Sequence, residues 1–340
     1  MSLIKKSALS AIVIALFATI LTGCSSSGEQ AADVSELTVY SGRSEEYNGS
    51  ILEDWEEQSG IKLNIRYGDS AELASQILEE GNNSPADLFV SQDAGSLGAV
   101  SDAGLFIELG SDVAAEVPTR FVAINRTWVG MTGRARVLAY SPERAKSLPK
   151  SFTELTEPQY KNKVGIAPIN SSFQTFVTAL IENKGEAFTK KWLSGMKANG
   201  AKTYSKNSLI VEAIDKGEID YGLVNHYYLW ETSNSLGRPV KAENLYFAPG
   251  DLGNLVNVSG VGVLASSTKQ AATIDFINYL TSATVQSKFV EQSHEYSLIP
   301  GAPTAEGVLP LDQVGSPSVD LTSLANLKRT QALLIEVGLL

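Results

Sequence analysis

Hydrophobic positions after residue 36 follow two periods in turn, which predicts strands alternating with helices. Ile61–Tyr67 places apolar side chains at every second position, as in a strand with one buried face. The apolar side chains of 47–58 and 71–80 recur at helical spacing, and short β-rich runs lie at 37–40 and 86–90. This order of strands and helices predicts a largely parallel sheet covered by helices on both faces.

The second half of the chain repeats this style with a different sequence. Apolar runs typical of buried strands are each followed, directly or after a short connection, by a helical pattern. The runs lie at 164–167, 221–224 and 261–264. Asn170 and Asn207 are polar residues of the kind that begin helices. The second half is therefore also predicted to be an α/β unit.

Two α/β units without a flexible linker predict an α/β fold of two lobes, each a mostly parallel sheet flanked by helices, around a ligand cleft. One lobe is predicted to comprise residues 36–132 plus 260–305, and the other residues 133–259 plus 306–340. Ligands of open α/β sheets bind at the carboxyl ends of strands. The candidate ligand-binding loops are Ser41–Ser44, Ser91–Asp93, Asn170–Phe173 and Asn225–Tyr228.

Residues 1–23 are typical of a secretion signal. Lys5 and Lys6 precede an apolar run, 8–21, that is short for a membrane span. The run leads into Leu-Thr-Gly before Cys24, which resembles a bacterial lipobox, so we expect Cys24 to carry lipid. Residues 24–35 are then a polar tether that holds an extracytoplasmic domain at the cell membrane. The alternative is an ordinary signal followed by a buried free cysteine.

Composition excludes several classes of function. The 340 residues contain one Cys and two His, too few for a disulfide, an iron–sulfur cluster or a histidine-rich metal centre. The formal net charge of -11 argues against nucleic acid as a partner, because a nucleic-acid binder needs a basic face. A catalytic triad would depend on His226 or His294, and the G-x-S-x-G, P-loop and G-x-G-x-x-G motifs are absent from the sequence. We therefore expect a protein that is not an enzyme.

Tyrosine offers the remaining metal chemistry. Of 12 Tyr, two are adjacent at Tyr227 and Tyr228, just past an apolar strand, and Tyr140 ends another apolar run. A hard, highly charged cation such as Fe3+ favours anionic oxygen donors and ionises a phenol whose pKa is otherwise about 10. Arg134 and Arg136 precede Tyr140, and arginines can hold an anion that fills remaining coordination positions. The alternative for the tyrosine pair is simple packing, with one ring inward and one on the surface.

Four segments together resemble the ferric-iron-binding proteins of ABC transporters, in the type II periplasmic binding protein class. They are Val39–Arg43, Ala86–Gly95, Trp128–Val137 and Leu223–Tyr228. The most specific parts are the Asn-His-Tyr-Tyr motif and the upstream Arg-x-Arg-Val-x-x-Tyr motif. The resemblance covers essentially the whole chain after the tether, and it implies two lobes that close over Fe3+ and deliver it to an ABC transporter permease. We expect this protein to be a monomer.

The resemblance also implies site residues. Paired tyrosines bind iron in that family, which implies Tyr227 and Tyr228 as ligands, and a tyrosine after the Arg-x-Arg run implies Tyr140 as a third. In that family a synergistic anion, carbonate or phosphate, closes the coordination sphere, and the resemblance implies the same here. The residues implied or expected to hold this anion are Arg43, Arg134, Ser171, Ser172, Asn207 and Asn225. The alternative for the two arginines is an ion pair at a hinge or on the surface.

Departures from the family leave other ligands open. One branch supplies a His and a Glu where this chain has Ser44 and Gln92, so a site of tyrosines completed by an anion or water is favoured. His226 is expected to be a structural, hydrogen-bonding residue. A polyamine, a phosphonate or another small oxyanion on the same scaffold is the nearest alternative. A hydrolase that uses Ser171 or Ser172 with His226, and a surface sensor, are the others.

Overall fold

The structure is a computed structural model, and it describes residues 34–43 and 45–340. The predicted signal, the lipid-bearing Cys24 and most of the predicted tether lie outside the described residues, as does Ser44. No helix within the described ranges is long and apolar enough to cross a membrane.

Strands of the described chain form a ten-stranded sheet. They are β1 (Glu36–Ser41), β2 (Lys62–Tyr67), β3 (Leu88–Ser91), β4 (Val129–Tyr140), β5 (Val164–Ile166), β6 (Lys202–Thr203), β7 (Tyr221–Asn225), β8 (Glu243–Leu245), β9 (Val256–Val263) and β10 (Tyr296–Ser297). The order across the sheet is β2-β1-β3-β9-β4-β7-β5-β6, and β8 and β10 pair with β4.

The sheet is parallel at both ends and antiparallel in the middle. β1 pairs in parallel with β2 and β3, and β5 pairs in parallel with β6 and β7, as the two α/β patterns predict. Between them, β9 runs antiparallel to β3 and β4, and β4 runs antiparallel to β7. β8 pairs with β4 at 138–140 and β9 pairs with it at 129–135, so the chain passes from β8 to β9 along β4 without an α-helix. The sheet is therefore mixed, and its long central strands join the two parallel ends.

The α-helices lie between these strands and after them. They are α1 (Glu45–Ser59), α2 (Ser70–Glu80), α3 (Ala94–Asp102), α4 (Ser171–Lys184), α5 (Glu186–Ala198), α6 (Asn207–Lys216), α7 (Tyr228–Leu236), α8 (Gln270–Leu280), α9 (Ala283–Ser293) and α10 (Leu327–Glu336). Polar residues after the strands begin several of them: Asp69 accepts a hydrogen bond from the backbone N of Ala71, and Asn170 accepts one from Ser172. These caps place polar side chains at the ends of strands.

Buried apolar side chains form one core at the β1–β3 end of the sheet and two at the β5–β7 end. The members of the first core lie between residues 37 and 135 and between residues 255 and 324. Ala179 also belongs to it. The other two take residues between 137 and 252, together with Leu333 and Leu334 of α10. Strand β4 contributes to all three. The first core also takes side chains that the sequence analysis assigned to the second lobe, namely Ala135, Ala179, Leu255, Val256, Val258 and the apolar residues of 308–324.

Candidate metal and anion site

A small polar cavity lies where the predicted ligand-binding loops meet. Each of the four loops contributes to its lining, and the β2–α2 connection adds a fifth segment. Its volume is about 100 Å³, which is well below the several hundred Å³ of a typical small-molecule pocket and leaves room for an ion or a small anion. The lining residues are Gly42, Asp69, Ser70, Gln92, Arg134, Asn170, Ser171, Ser172, Asn225, Tyr227 and Tyr228.

The two adjacent tyrosines face each other within this cavity. β7 ends at Asn225, and the chain turns through His226 and Tyr227 into α7, which begins at Tyr228. The turn brings the rings of Tyr227 and Tyr228 into a stacked pair with centroids 4.5 Å apart and planes 27° apart. Tyr227 is 5% exposed. Simple packing with one ring inward and one outward, which the sequence left open, is therefore not what the structure has.

His226 holds this turn in place through hydrogen bonds of both ring nitrogens. The backbone N of Ala135 donates to its Nδ1 at 3.2 Å, and its Nε2 lies 2.8 Å from the carbonyl oxygen of His294. Nδ1 must therefore accept and Nε2 must donate, which is the neutral ring. Burial lowers the pKa of His226 to about 4. The expectation of a structural histidine is confirmed, and both nitrogens are unavailable to a serine nucleophile.

The two tyrosines can bind a cation strongly only after their phenols have lost their protons. Burial raises the pKa of Tyr227 well above its ordinary value and raises that of Tyr228 as well. Arg134 opposes this shift for both phenols because its positive charge favours the phenolate. Asn207 also favours the phenolate of Tyr228 by hydrogen bonding. The free site thus holds two protonated phenols that a metal ion would have to deprotonate.

Arg134 is the positive group of the cavity. It is 3% exposed, and its Nη1 donates to Oε1 of Gln92 at 3.1 Å. Its Nε and Nη2 are buried without a hydrogen-bond partner among the described residues. Burial alone would lower the pKa of Arg134, but Tyr227 and the carboxylates of Glu295 and Asp93 raise it. The side chain therefore stays charged and presents unused N–H groups, as an anion site requires.

Arg136 supports the site from the next inward position of β4. Its Nη1 lies 3.2 Å from Oγ of Ser172 and 3.4 Å from Oδ1 of Asn225, and its Nη2 donates to the carbonyl oxygen of Leu223 at 3.0 Å. The guanidinium also lies 5.4 Å from the ring centroid of Phe173. The sequence pointed to Arg136 beside Arg134 as an arginine near the site, but Arg136 was not among the residues finally expected to hold the anion, although it shares the strand face of Arg134.

Polar residues at the start of α4 complete the anion side. Oδ1 of Asn170 accepts from the backbone N of Ser172 at 3.1 Å and from Nδ2 of Asn207 at 3.1 Å. Asn207 is fully buried and also donates to Oγ of Ser172 at 3.2 Å. Ser171 begins α4 and lines the cavity. A helix N-terminus suits an anion because its first N–H groups lack partners in the helix. The structure thus brings Ser171, Ser172 and Asn225 to the cavity, with Asn207 behind them.

Arg43 does not face the cavity, which corrects its expected role as an anion partner. Its Nη1 lies 2.8 Å from Oε2 of Glu295 and donates to the hydroxyls of Thr132 and Ser259. Both Arg43 and Glu295 are at most 4% exposed. Arg43 forms an ion pair, as the alternative interpretation expected, but the pair is buried and not on the surface.

Tyr140 lies away from the tyrosine pair, which corrects its expected role as a third ligand. Because β4 and β7 are antiparallel, Arg136 pairs with Asn225 while Tyr140 pairs with Tyr221. The four positions from Arg136 to Tyr140 correspond to about 14 Å along the strand. The phenol of Tyr140 instead donates to Glu243 at 2.7 Å, and this bond and partial burial raise its pKa to about 12.

A metal site built on acids and histidines is not present in the described ranges, where no group of three or more His, Cys, Asp or Glu side chains could hold an ion. The cavity offers phenols, hydroxyls and amides, with one carboxylate, that of Asp69. This donor set suits a hard cation that takes oxygen ligands.

Comparison with known proteins defines the class of the chain. It belongs to the family of bacterial extracellular solute-binding proteins, whose sequence model matches residues 83–311. The chain is similar to the Fe(3+)-binding periplasmic protein of Serratia marcescens, with 33% identity over 318 residues, 92% of this chain and 94% of the relative. It is also 32% identical over 311 residues to the major ferric iron-binding protein of Neisseria meningitidis serogroup B, covering 90% of this chain and 94% of that one.

Solved structures agree in fold over nearly the same span. Iron-bound HitA from Pseudomonas aeruginosa superposes with a TM-score of 0.83 at 32% identity, covering 89% of this chain and 99% of HitA. A Trichodesmium protein, IdiA or FutA, in complex with iron and citrate gives a TM-score of 0.77 at 26% identity, covering 89% and 99%. The predicted α/β fold of two lobes in the periplasmic-binding-protein class is thereby confirmed. The relatives named here are described as binding proteins and not as enzymes.

Proposed function

We propose that this protein captures Fe3+ outside the cytoplasm and delivers it to the permease of an ABC transporter. The observation that carries the proposal is the stacked pair Tyr227 and Tyr228, whose phenols share a small cavity with the buried, charged Arg134. Adjacent phenolates are strong, hard oxygen donors for a ferric ion. Relatives at 32–33% identity are named as ferric-iron-binding proteins, which supports the same cargo.

A small synergistic anion, carbonate or phosphate, completes the proposed coordination sphere. Arg134 offers buried N–H groups that have no hydrogen-bond partner in the part of the chain that the structure describes, and Ser171 and Ser172 lie at the N-terminus of α4. Asn225 lies beside them, positioned by Arg136. An anion here would meet both the guanidinium and the helix N-terminus, each of which favours negative charge.

Lobe closure is the proposed route of capture and release. The lobes are proposed as residues 36–132 plus 260–305 and residues 133–259 plus 306–340, with 308–324 packed against the first. Hinge bending would bring Gln92 and Asp69 of the first lobe over the tyrosines of the second. A lipid on Cys24 would hold the monomeric protein at the cell membrane beside its permease. No chemical step is involved.

Two alternatives from the sequence are weakened by particular contacts. A polyamine is disfavoured because the buried Arg134 would repel a polycation in a cavity this small. A hydrolase built on Ser172 and His226 lacks a base, since both ring nitrogens of His226 are bonded to backbone groups. A free oxyanion stays as the second candidate because Arg134 and the start of α4 would bind one without a metal.

Equilibrium dialysis of metal-stripped protein against ferric citrate tests the proposal. We expect about one ferric ion per chain for the unaltered protein and for Tyr140→Phe, the matched control, and a large loss of binding for Tyr227→Phe and for Tyr228→Phe. Ferric binding that survives both cavity substitutions would contradict the proposed site. Thermal stabilisation of the metal-free protein by phosphate, without any response to ferric ion, would favour the oxyanion candidate.

A further inference from the structure

A carboxylate that sequence reasoning passed over lies at the proposed iron site. Asp69 occupies the connection between β2 and α2, and it lines the cavity together with Tyr227, Tyr228 and Arg134. Asp69 is the cavity's one carboxylate among the described residues. α2 is anchored in the first core by Leu73 and Ile77, so its N-terminus is a firm support for this side chain.

One oxygen of the Asp69 carboxylate accepts a hydrogen bond that orients the side chain, and the other oxygen accepts none from the described residues. Its Oδ1 accepts a hydrogen bond from the backbone N of Ala71 at 2.8 Å, as a helix N-cap does. Its Oδ2 has no hydrogen-bond partner among residues 34–43 and 45–340. A capping bond fixes the carboxylate, and the second oxygen is left for a ligand.

Other carboxylates near the site are already occupied. Asp93 is 1% exposed and accepts from the backbone N and the hydroxyl of Ser96, at the start of α3. Glu295 is 4% exposed and pairs with Arg43. Neither of the two lines the cavity, whereas Asp69 is exposed and does.

We propose that Asp69 is a ferric-iron ligand, supplied by the first lobe opposite the two tyrosines. This inference rests on the proposed function and names a further donor for the same ion. The phenolates of Tyr227 and Tyr228 carry two negative charges, and the Asp69 carboxylate brings the total to three. Three anionic protein oxygens balance the charge of a trivalent ion, and Arg134 offsets the charge of the proposed anion. Little net charge is then left in the closed cleft, where an unbalanced charge is costly.

Replacing Asp69 tests this role, since the capping bond can be kept. Asn and Ser cap helices as well as Asp does, so Asp69→Asn and Asp69→Ser remove the negative charge and leave α2 capped. Asp320 is the matched control: it also is exposed, and its carboxylate accepts from the backbone N of Thr322 at 2.9 Å, outside the cavity. Ferric affinity is measured by competition with citrate, together with the visible spectrum of the ferric complex.

We expect Asp69→Asn and Asp69→Ser to weaken ferric binding at least about tenfold, equal to about 1.4 kcal/mol, and to shift the visible band. Asp320→Asn should leave both unchanged, and the melting temperature of each metal-free variant should stay near that of the parent. Unchanged affinity and spectrum in both Asp69 variants, with ferric binding lost in Tyr227→Phe, would overturn the role of Asp69 and leave the proposed function intact. A parent protein that binds no ferric ion would overturn both.

Discussion

Arg43 and Glu295 form a buried ion pair in which Nη1 of Arg43 lies 2.8 Å from Oε2 of Glu295. The other oxygen of Glu295 lies 3.9 Å from Nε of Arg134. One carboxylate is thus shared by two arginines, one of them committed to the protein interior and the other facing the cavity. Arg134 is thus a cationic group that faces the tyrosines, where it can attract an anion and favours the phenolates.

Glu295→Gln should destabilise the protein strongly. Removing one partner of a buried pair leaves the arginines without a counter-charge, which typically costs about 3–5 kcal/mol. Urea unfolding at neutral pH measures the change. Asp54→Ala, which removes the half-exposed partner of Lys288, is the control and should cost only a small part of that. Equal losses in the two variants would show that Glu295 has no special structural role.

Stability should fall as the pH drops from about 6.5 towards 4, partly because of His226. Burial lowers the pKa of this ring to about 4 in the folded protein, so between those values the unfolded chain binds a proton that the folded one does not. The expected contribution is about 3 kcal/mol over this range. The free energy of unfolding measured against pH should lose this part of its slope in His226→Gln. An unchanged slope would mean that His226 is protonated in the fold.

The parts of the site that depend on local sequence were predictable. Asn225, Tyr227 and Tyr228 follow a recognisable strand, and Asn170 begins a recognisable helix, so their positions at strand ends follow from the pattern. Asp69 was missed because a Gly-Asp-Ser sequence before a helix is adequately explained as a cap. Its place on the cavity depends on how β2 and α2 sit against the rest of the sheet.

The parts that depend on distant pairing were not predictable. The family resemblance implied Tyr140 as a third ligand, and the register of β4 against β7, which places it elsewhere, cannot be read from either strand alone. Arg43 was assigned to the anion because its partner, Glu295, comes more than 250 positions later. The hydrophobic pattern also does not reveal the burial of β4, because its polar Thr132, Arg134 and Arg136 are buried like their apolar neighbours.

Arg136→Met should weaken ferric binding about tenfold while leaving the fold intact. The thioether side chain can still pack near Phe173, but the contacts to Ser172 and Asn225 are lost. The loss should be seen in citrate competition and should shrink when carbonate or phosphate is raised. Arg144→Met is the control, because Arg144 bonds to Asp220 away from the cavity. Equal effects of both substitutions would contradict a specific role for Arg136.

Ferric binding should release protons. Burial raises the pKa of both Tyr227 and Tyr228, so at neutral pH the metal-free phenols are protonated and each must ionise to bind. Titration calorimetry in buffers of different ionisation enthalpy should report about two protons released per ion, and affinity should fall as the pH is lowered. At ferric concentrations high enough for a single Tyr→Phe variant still to take up the ion, the number should fall by about one. Release that is unaffected by both substitutions would contradict phenolate ligation.

The most direct measurement is the visible absorption of the metal-free protein during titration with ferric ion. Phenolate bound to Fe3+ gives a charge-transfer band that neither component shows alone. We predict that this band saturates at about one ion per chain, persists in Tyr140→Phe, and is lost in the double variant Tyr227→Phe/Tyr228→Phe. A folded, metal-free protein that binds ferric ion without developing the band, or a double variant that retains it, would contradict the tyrosine site.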